Sequence, residues 1–135
     1  MRIAVIDGQG GGIGKAVVAR LRGEFGESVH LLALGTNSMA TGNMLKNGAD
    51  AGATGENAIR VNAGKVDLII GPLAILMADA LLGEITAVMA AAVSDSPARK
   101  IIVPLNLCNV HIIGVQPMKI AEAMDQVVAE VRKSL

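Results

Sequence analysis

Ile3-Ala4-Val5-Ile6-Asp7-Gly8-Gln9-Gly10-Gly11-Gly12-Ile13-Gly14-Lys15 is the stretch on which the fold turns. Its first four residues are apolar on both faces of an extended chain, as a strand covered by helices on each side requires, so it reads as a central parallel strand. Asp7 closes that strand, and glycine then fills five of the seven positions from Gly8 to Gly14. From Lys15 to Arg22, the residues Ala16, Val17, Val18 and Leu21 recur at helical spacing. Gly23 and Gly26 close the segment before a second strand near Val29 to Leu34. The unit is strand, glycine loop, helix, strand.

Working outward, Thr36-Asn37-Ser38 supplies capping side chains for a helix from about Met39 to Lys46, which Asn47-Gly48 ends. Another helix is expected after Thr54-Gly55, through Ala58 and Val61. Val66 to Ile70 reads as a third strand stopped by Gly71-Pro72, followed by an apolar helix from Leu73 to Leu82 that ends at Gly83. Thr86 caps its continuation to Val93. Lys100 to Val103 is a fourth strand running into Pro104-Leu105-Asn106, and Val110 to Val115 a fifth. So few residues join these last two that the fifth is expected to pair antiparallel, as an edge strand. Ile120, Met124, Val127, Val128, Val131 and Leu135 form the apolar stripe of a C-terminal helix. The alternation predicts a three-layer α/β Rossmann-like sandwich over residues 1–135, its five-stranded sheet mostly parallel.

Composition removes several functions. Twelve Lys and Arg balance twelve Asp and Glu, with no cationic run longer than two, which argues against a phosphate-tracking nucleic-acid surface. Phe25 is the only aromatic residue, so neither a catalytic Tyr nor a platform for stacking bases is possible. The single Cys108 excludes an internal disulfide, and Asp7 comes too early for a secretion signal, so a reducing, cytoplasmic setting is expected. The longest apolar tract, Leu68 to Val93, is interrupted by Gly71-Pro72, Asp79 and Gly83-Glu84, which suits a buried strand and helix rather than a membrane span. Cys108 and His111 fall where a strand is expected, a spacing unsuited to joint metal ligation there. The seven Met residues suit core filling or a subunit interface, and the apolar excess with the stripe on the last helix suggests, as an alternative to ligand binding, a non-enzymatic homo-oligomeric assembly module.

In open sheets of this class a ligand sits beyond the carboxyl ends of the strands, here Asp7-Gly8-Gln9, Gly35-Thr36-Asn37, Gly71-Pro72 and Pro104-Leu105-Asn106. The loop Gly8-Gln9-Gly10-Gly11-Gly12-Ile13-Gly14-Lys15 opens the first helix, where unpaired backbone N–H groups and the helix dipole favour an anion. Glycine permits the tight turn and lets a phosphate approach without meeting a Cβ atom. Asp7 would either orient a ribose or Mg²⁺-nucleotide or accept N–H bonds within the turn. Thr36, Asn37, Ser38, Gly71, Pro72 and Asn106 complete the candidate site for a small phosphate-containing ligand. Thr54, Glu56 and Asn57 either complete a site or form a helix start, with Thr54 as its cap, and Glu84 is either a cap or a contact to a ligand or neighbouring subunit.

The spacing Gly8-x-x-x-Gly12-Ile13-Gly14 resembles the cofactor loop of short-chain dehydrogenases and reductases, which implies NAD(P) on a Rossmann-like sheet and a reductase subunit completed by a partner. That family's Tyr-x-x-x-Lys has no counterpart here, and Gly35 to Ser38 stand where an acid would hold an adenosine ribose. Gly10-Gly11-Gly12-Ile13-Gly14-Lys15-Ala16 is similar to the phosphate loop of plasmid-partition ATPases. There, however, Ala16 replaces the Ser or Thr whose hydroxyl binds Mg²⁺. Over nearly the whole chain, the opening stretch together with Ala33-Leu34-Gly35-Thr36-Asn37, Gly52-Ala53-Thr54-Gly55-Glu56-Asn57-Ala58-Ile59, Gly83-Glu84-Ile85-Thr86 and Ile102-Val103-Pro104-Leu105-Asn106 resembles a family of small bacterial proteins catalogued as a domain of unknown function. That resemblance implies the fold, and no activity.

Overall fold

The structure is a computed structural model that describes residues 1–135. The chain runs β1 (Arg2–Asp7), α1 (Gly12–Phe25), β2 (His30–Gly35), α2 (Ser38–Lys46), β3 (Ala51–Thr54), α3 (Glu56–Asn62), β4 (Leu68–Pro72), α4 (Ala87–Asp95), β5 (Arg99–Val103) and α5 (Ile120–Ser134). The strands form one sheet in the order β3-β2-β1-β4-β5. Every pairing is parallel. Val5 lies opposite Ala33 on one side and Ile70 on the other, so β1 is central as its unbroken apolar run requires.

Alternation along the strands divides the core between the two faces of the sheet. Ile3, Val5, Leu31, Ala33, Leu68 and Ile70 pack with α1, Met44 of α2 and the Met124, Val127, Val128 and Val131 stripe of α5. Ala4, Ile6, Leu32, Leu34 and Ile69 pack with Ile59 of α3 and with Met89, Ala90 and Val93 of α4. Two predicted caps are present: Asn37 accepts from the Ala40 N–H and Thr86 from the Met89 N–H. No helix is long and apolar enough to cross a membrane.

The antiparallel edge strand is a correction. Val110 to Val115 forms no strand; its Val110 N–H donates to Leu107 O and its Val115 N–H to Ile112 O, so local turns take the donors that a ladder would use. Cys108 and Asn109, at φ 51° and 60°, bend the chain away from an extended course. The fifth strand is instead β3, whose Ala51-Gly52-Ala53-Thr54 borders β2 in parallel and lacks the bulky side chains that announce a strand.

The helix expected over Leu73 to Leu82 is likewise replaced. One 3₁₀ turn spans Leu73–Leu76, after which Asp79, Leu81 and Leu82 adopt left-handed conformations at φ 65°, 57° and 55°. The Asp79 N–H donates to Ile85 O and the Ile85 N–H to Ala80 O, closing a loop on itself. Ile75 is buried and Leu76 and Leu81 are partly so, whereas Leu82 is exposed; the inward side chains serve a loop laid over the strand ends.

Candidate functional site

From β1 the chain builds the sheet outward through β2 and β3, then crosses back to add β4 and β5 on the other side. The direction of winding reverses between β1 and β4, so their carboxyl ends diverge and leave a crevice. A cleft of about 400 Å³ lies there, lined by the loop from Asp7 to Ile13, by Pro72 and Ala74 after β4, by Leu105 and Asn106 after β5, and by Leu81 and Ile120.

The glycines of the loop divide by what surrounds them. Gly11 has φ +69°, and a Cβ there would come within 2.9 Å of the Ala40 backbone, so both turn and packing require glycine. A Cβ on Gly14 would lie 2.7 Å from Met44 Sδ, and one on Gly8 would lie 2.7 Å from Thr36 Oγ1. Gly10 and Gly12 differ: neither has a positive φ, and a Cβ on either would meet nothing within 4 Å. No protein acceptor takes the N–H of Gly10 or of Gly12. Both residues line the cleft.

The loop's carbonyls are held from the side of α2. Asn37 Nδ2 donates to Gln9 O at 2.9 Å and Asn43 Nδ2 to Gly10 O at 2.8 Å. A trans peptide sets its N–H opposite its carbonyl, so the Gly10 N–H points away from Asn37. Gln9 itself sits at φ 49°.

Asp7, only 5% exposed, takes the second of the roles open to it. Its Oδ1 accepts the Gly8 N–H at 2.8 Å and its Oδ2 the Gly14 N–H at 2.7 Å, so the carboxylate spans the glycine loop from within. Burial pushes its pKa up, against the lowering effect of the N–H bonds from Gly14, Gly8 and Ile13, and the Glu84 charge adds to the rise.

Glu84 joins the carboxyl ends of β1 and β2. Its Oε1 accepts the Thr36 hydroxyl at 2.7 Å, the Gln9 N–H at 2.9 Å and Asn37 Nδ2 at 2.9 Å. The Thr36 hydroxyl, then the Gln9 N–H and Asn37 amide, hold its carboxyl below the usual range. Through Oε1 this carboxylate caps no helix and braces the glycine loop.

Of the residues singled out in the sequence, Asp7, Gly8, Gln9, Gly10, Gly11, Gly12, Ile13, Pro72 and Asn106 line the cleft together. Gly14 and Gly71 lie behind it, and Gly71 lets β4 approach the Ile6 carbonyl of β1. Lys15 is exposed on α1 and outside the lining. Thr36 and Asn37 are engaged by Glu84, and Ser38 opens α2 on the surface. Thr54 caps nothing: Gly55 stands at the start of α3, and Thr54 Oγ1 is 2.7 Å from Thr41 Oγ1. Leu81, Ala74 and Ile120 are lining residues that sequence reasoning missed. For Ile120 a signal exists in its place at the very start of the C-terminal stripe, one end of which reaches the strand ends.

Asp7 is the only ionisable side chain in the lining, and the walls beyond the loop are apolar apart from Asn106. No curated protein matches the sequence. The family described as "Domain of unknown function (DUF3842)" matches residues 2–135, as the resemblance in the five sequence blocks implies, and the chain belongs to that family.

Proposed function

We propose that this protein binds a nucleotide, whose phosphate rests on the loop from Gly8 to Gly14 and whose sugar and base extend along Pro72, Leu105, Asn106 and Ile120. The observation that carries this reading is the pair Gly10 and Gly12. Nothing within the chain requires glycine at either position, both N–H groups are without a protein acceptor, and both residues line the cleft. A bare backbone with free donors at the head of a fourteen-residue helix suits an anionic oxygen, which a Cβ would displace. The apolar walls suit a flat ring. Both oxygens of Asp7 are occupied by loop amides, which leaves no free acid or base in the lining and favours binding over proton-transfer chemistry.

Thermal-shift measurements with mononucleotides, NAD(H), NADP(H), ATP, GTP and cyclic nucleotides test the reading. A ligand held at ten times its dissociation constant raises Tm by about 3–6 °C for a chain of this size. Gly12→Asp abolishes that rise. Absence of stabilisation by every compound at millimolar concentration overturns the proposal.

A further inference from the structure

We infer that the cleft takes a nucleoside monophosphate and excludes dinucleotides, because Leu81 and Glu84 fill the half of the crevice that lies over β2. The inference rests on the nucleotide reading above and narrows it to one ligand class.

A dinucleotide on a doubly wound sheet spreads to both sides of its phosphate loop, one nucleoside over the strands on each side of the switch point. Here the two sides differ. Toward β4 and β5 the ends of the strands are open and form the cleft, with Pro72, Ala74, Leu105 and Asn106 in its walls. Toward β2 the cleft does not extend: neither Thr36, Asn37 nor Ser38 lines it. Glu84 Oε1 occupies that ground, bonded at once to Thr36, Asn37 and the Gln9 N–H. Leu81 lies beside it, with Cδ1 only 2.8 Å from where a Cβ on Gly8 would stand.

This closure is maintained against strain. Asp79, Leu81 and Leu82 all have positive φ, which costs about 1–2 kcal/mol for each L residue. The three hydrogen bonds to Glu84 fix the loop in place over the strand ends. A carboxylate there also repels the second phosphate that a dinucleotide or a triphosphate would bring.

Charge and size agree. With no Lys or Arg in the lining, nothing balances a polyphosphate; the unpartnered N–H groups of Gly10 and Gly12 suit one phosphoryl group. The cleft volume of about 400 Å³ lies toward the lower end of the roughly 300–1,000 Å³ of small-molecule sites.

Titration calorimetry on the full chain with AMP, GMP, nicotinamide mononucleotide, ribose 5-phosphate and inorganic phosphate, set against NAD⁺, NADP⁺ and ATP, tests this. At least one of AMP, GMP and nicotinamide mononucleotide is expected to bind about tenfold or more tighter than ribose 5-phosphate, either dinucleotide and ATP. Leu81→Gly, which keeps the loop's backbone because glycine accepts φ 57°, is expected to narrow that gap by admitting NAD⁺. NAD⁺ binding the unaltered protein as tightly as the monophosphates overturns the inference and leaves the nucleotide reading standing. An unchanged ratio in Leu81→Gly removes the role assigned to Leu81. Equal affinity for inorganic phosphate and AMP overturns the assignment to a nucleoside monophosphate, and binding by none of the compounds overturns both proposals.

Discussion

Asp7 Oδ2 accepts the Gly14 N–H at 2.7 Å, so the last residue of β1 is tied to the first turn of α1 across the whole glycine loop. Its other oxygen takes the Gly8 N–H. Asp7→Asn preserves shape but offers one acceptor where two are used, and its NH₂ then faces an amide donor. The expected cost is about 1–3 kcal/mol, the penalty for a buried donor left without its partner. Urea denaturation checks it: a midpoint unchanged from the parent would show that the carboxylate does not hold the loop.

The loop glycines should separate in the same assay. Gly11→Ala forces a β-carbon into a left-handed position and against Ala40, and Gly71→Ala drives one onto the Ile6 carbonyl; each is expected to cost about 1–3 kcal/mol. Gly10→Ala and Gly12→Ala should stay within about 0.5 kcal/mol of the parent, since both have room for a methyl group. Nucleotide binding should show the reverse dependence, with Gly12→Ala impaired despite its intact fold. A Gly12→Ala protein as unstable as Gly11→Ala would mean that this glycine is architectural.

What could be read in the sequence follows what is local. The β1 run, the helix caps at Asn37 and Thr86 and the α5 stripe each depend on neighbours a few residues away, and each is where the pattern places it, save that Ile120 and Leu135 at the ends of the stripe are exposed. The edge strand β3 has no such pattern, because Ala51, Gly52 and Ala53 gain their conformation from hydrogen bonding to β2 rather than from burying bulk. The tract from Leu73 to Leu82 shows that apolar content reports burial and not periodicity. In the site, the strand-end residues follow from topology, whereas Glu84 reaches the loop from 75 residues beyond Gln9 and is invisible to any local motif.

Stability near the acid limb should carry opposing contributions. Glu84 and Asp50 have pKa values lowered from 4.5 and 3.8, Glu84 chiefly by the Thr36 hydroxyl and Asp50 chiefly by the Leu31 N–H. Their contributions are full above those usual values and are lost as pH falls through the lower folded ones. Asp7 is raised from 3.8 by burial, so its contribution is present below that value and is lost as pH rises through the folded one. Glu84→Gln should therefore destabilise at about pH 7 and do so progressively less toward about pH 3. Urea midpoints across that range check it; a pH-independent deficit would mean that the Glu84 charge contributes nothing to the brace.

Leu82 offers the converse experiment, a gain. It is 99% exposed and held at φ 55°, so it contributes no burial while bearing the cost of a left-handed backbone. Asparagine tolerates that conformation far better than a residue with a bulky apolar side chain. Leu82→Asn is expected to raise stability by about 0.5–1 kcal/mol and Tm by about 2–3 °C, without touching the bonds of Glu84 two residues on. Calorimetry reads the shift. A loss instead would show that the exposed leucine is covered in the protein as it exists in solution, and light scattering on the same two proteins would then show a larger assembly for the parent than for the variant.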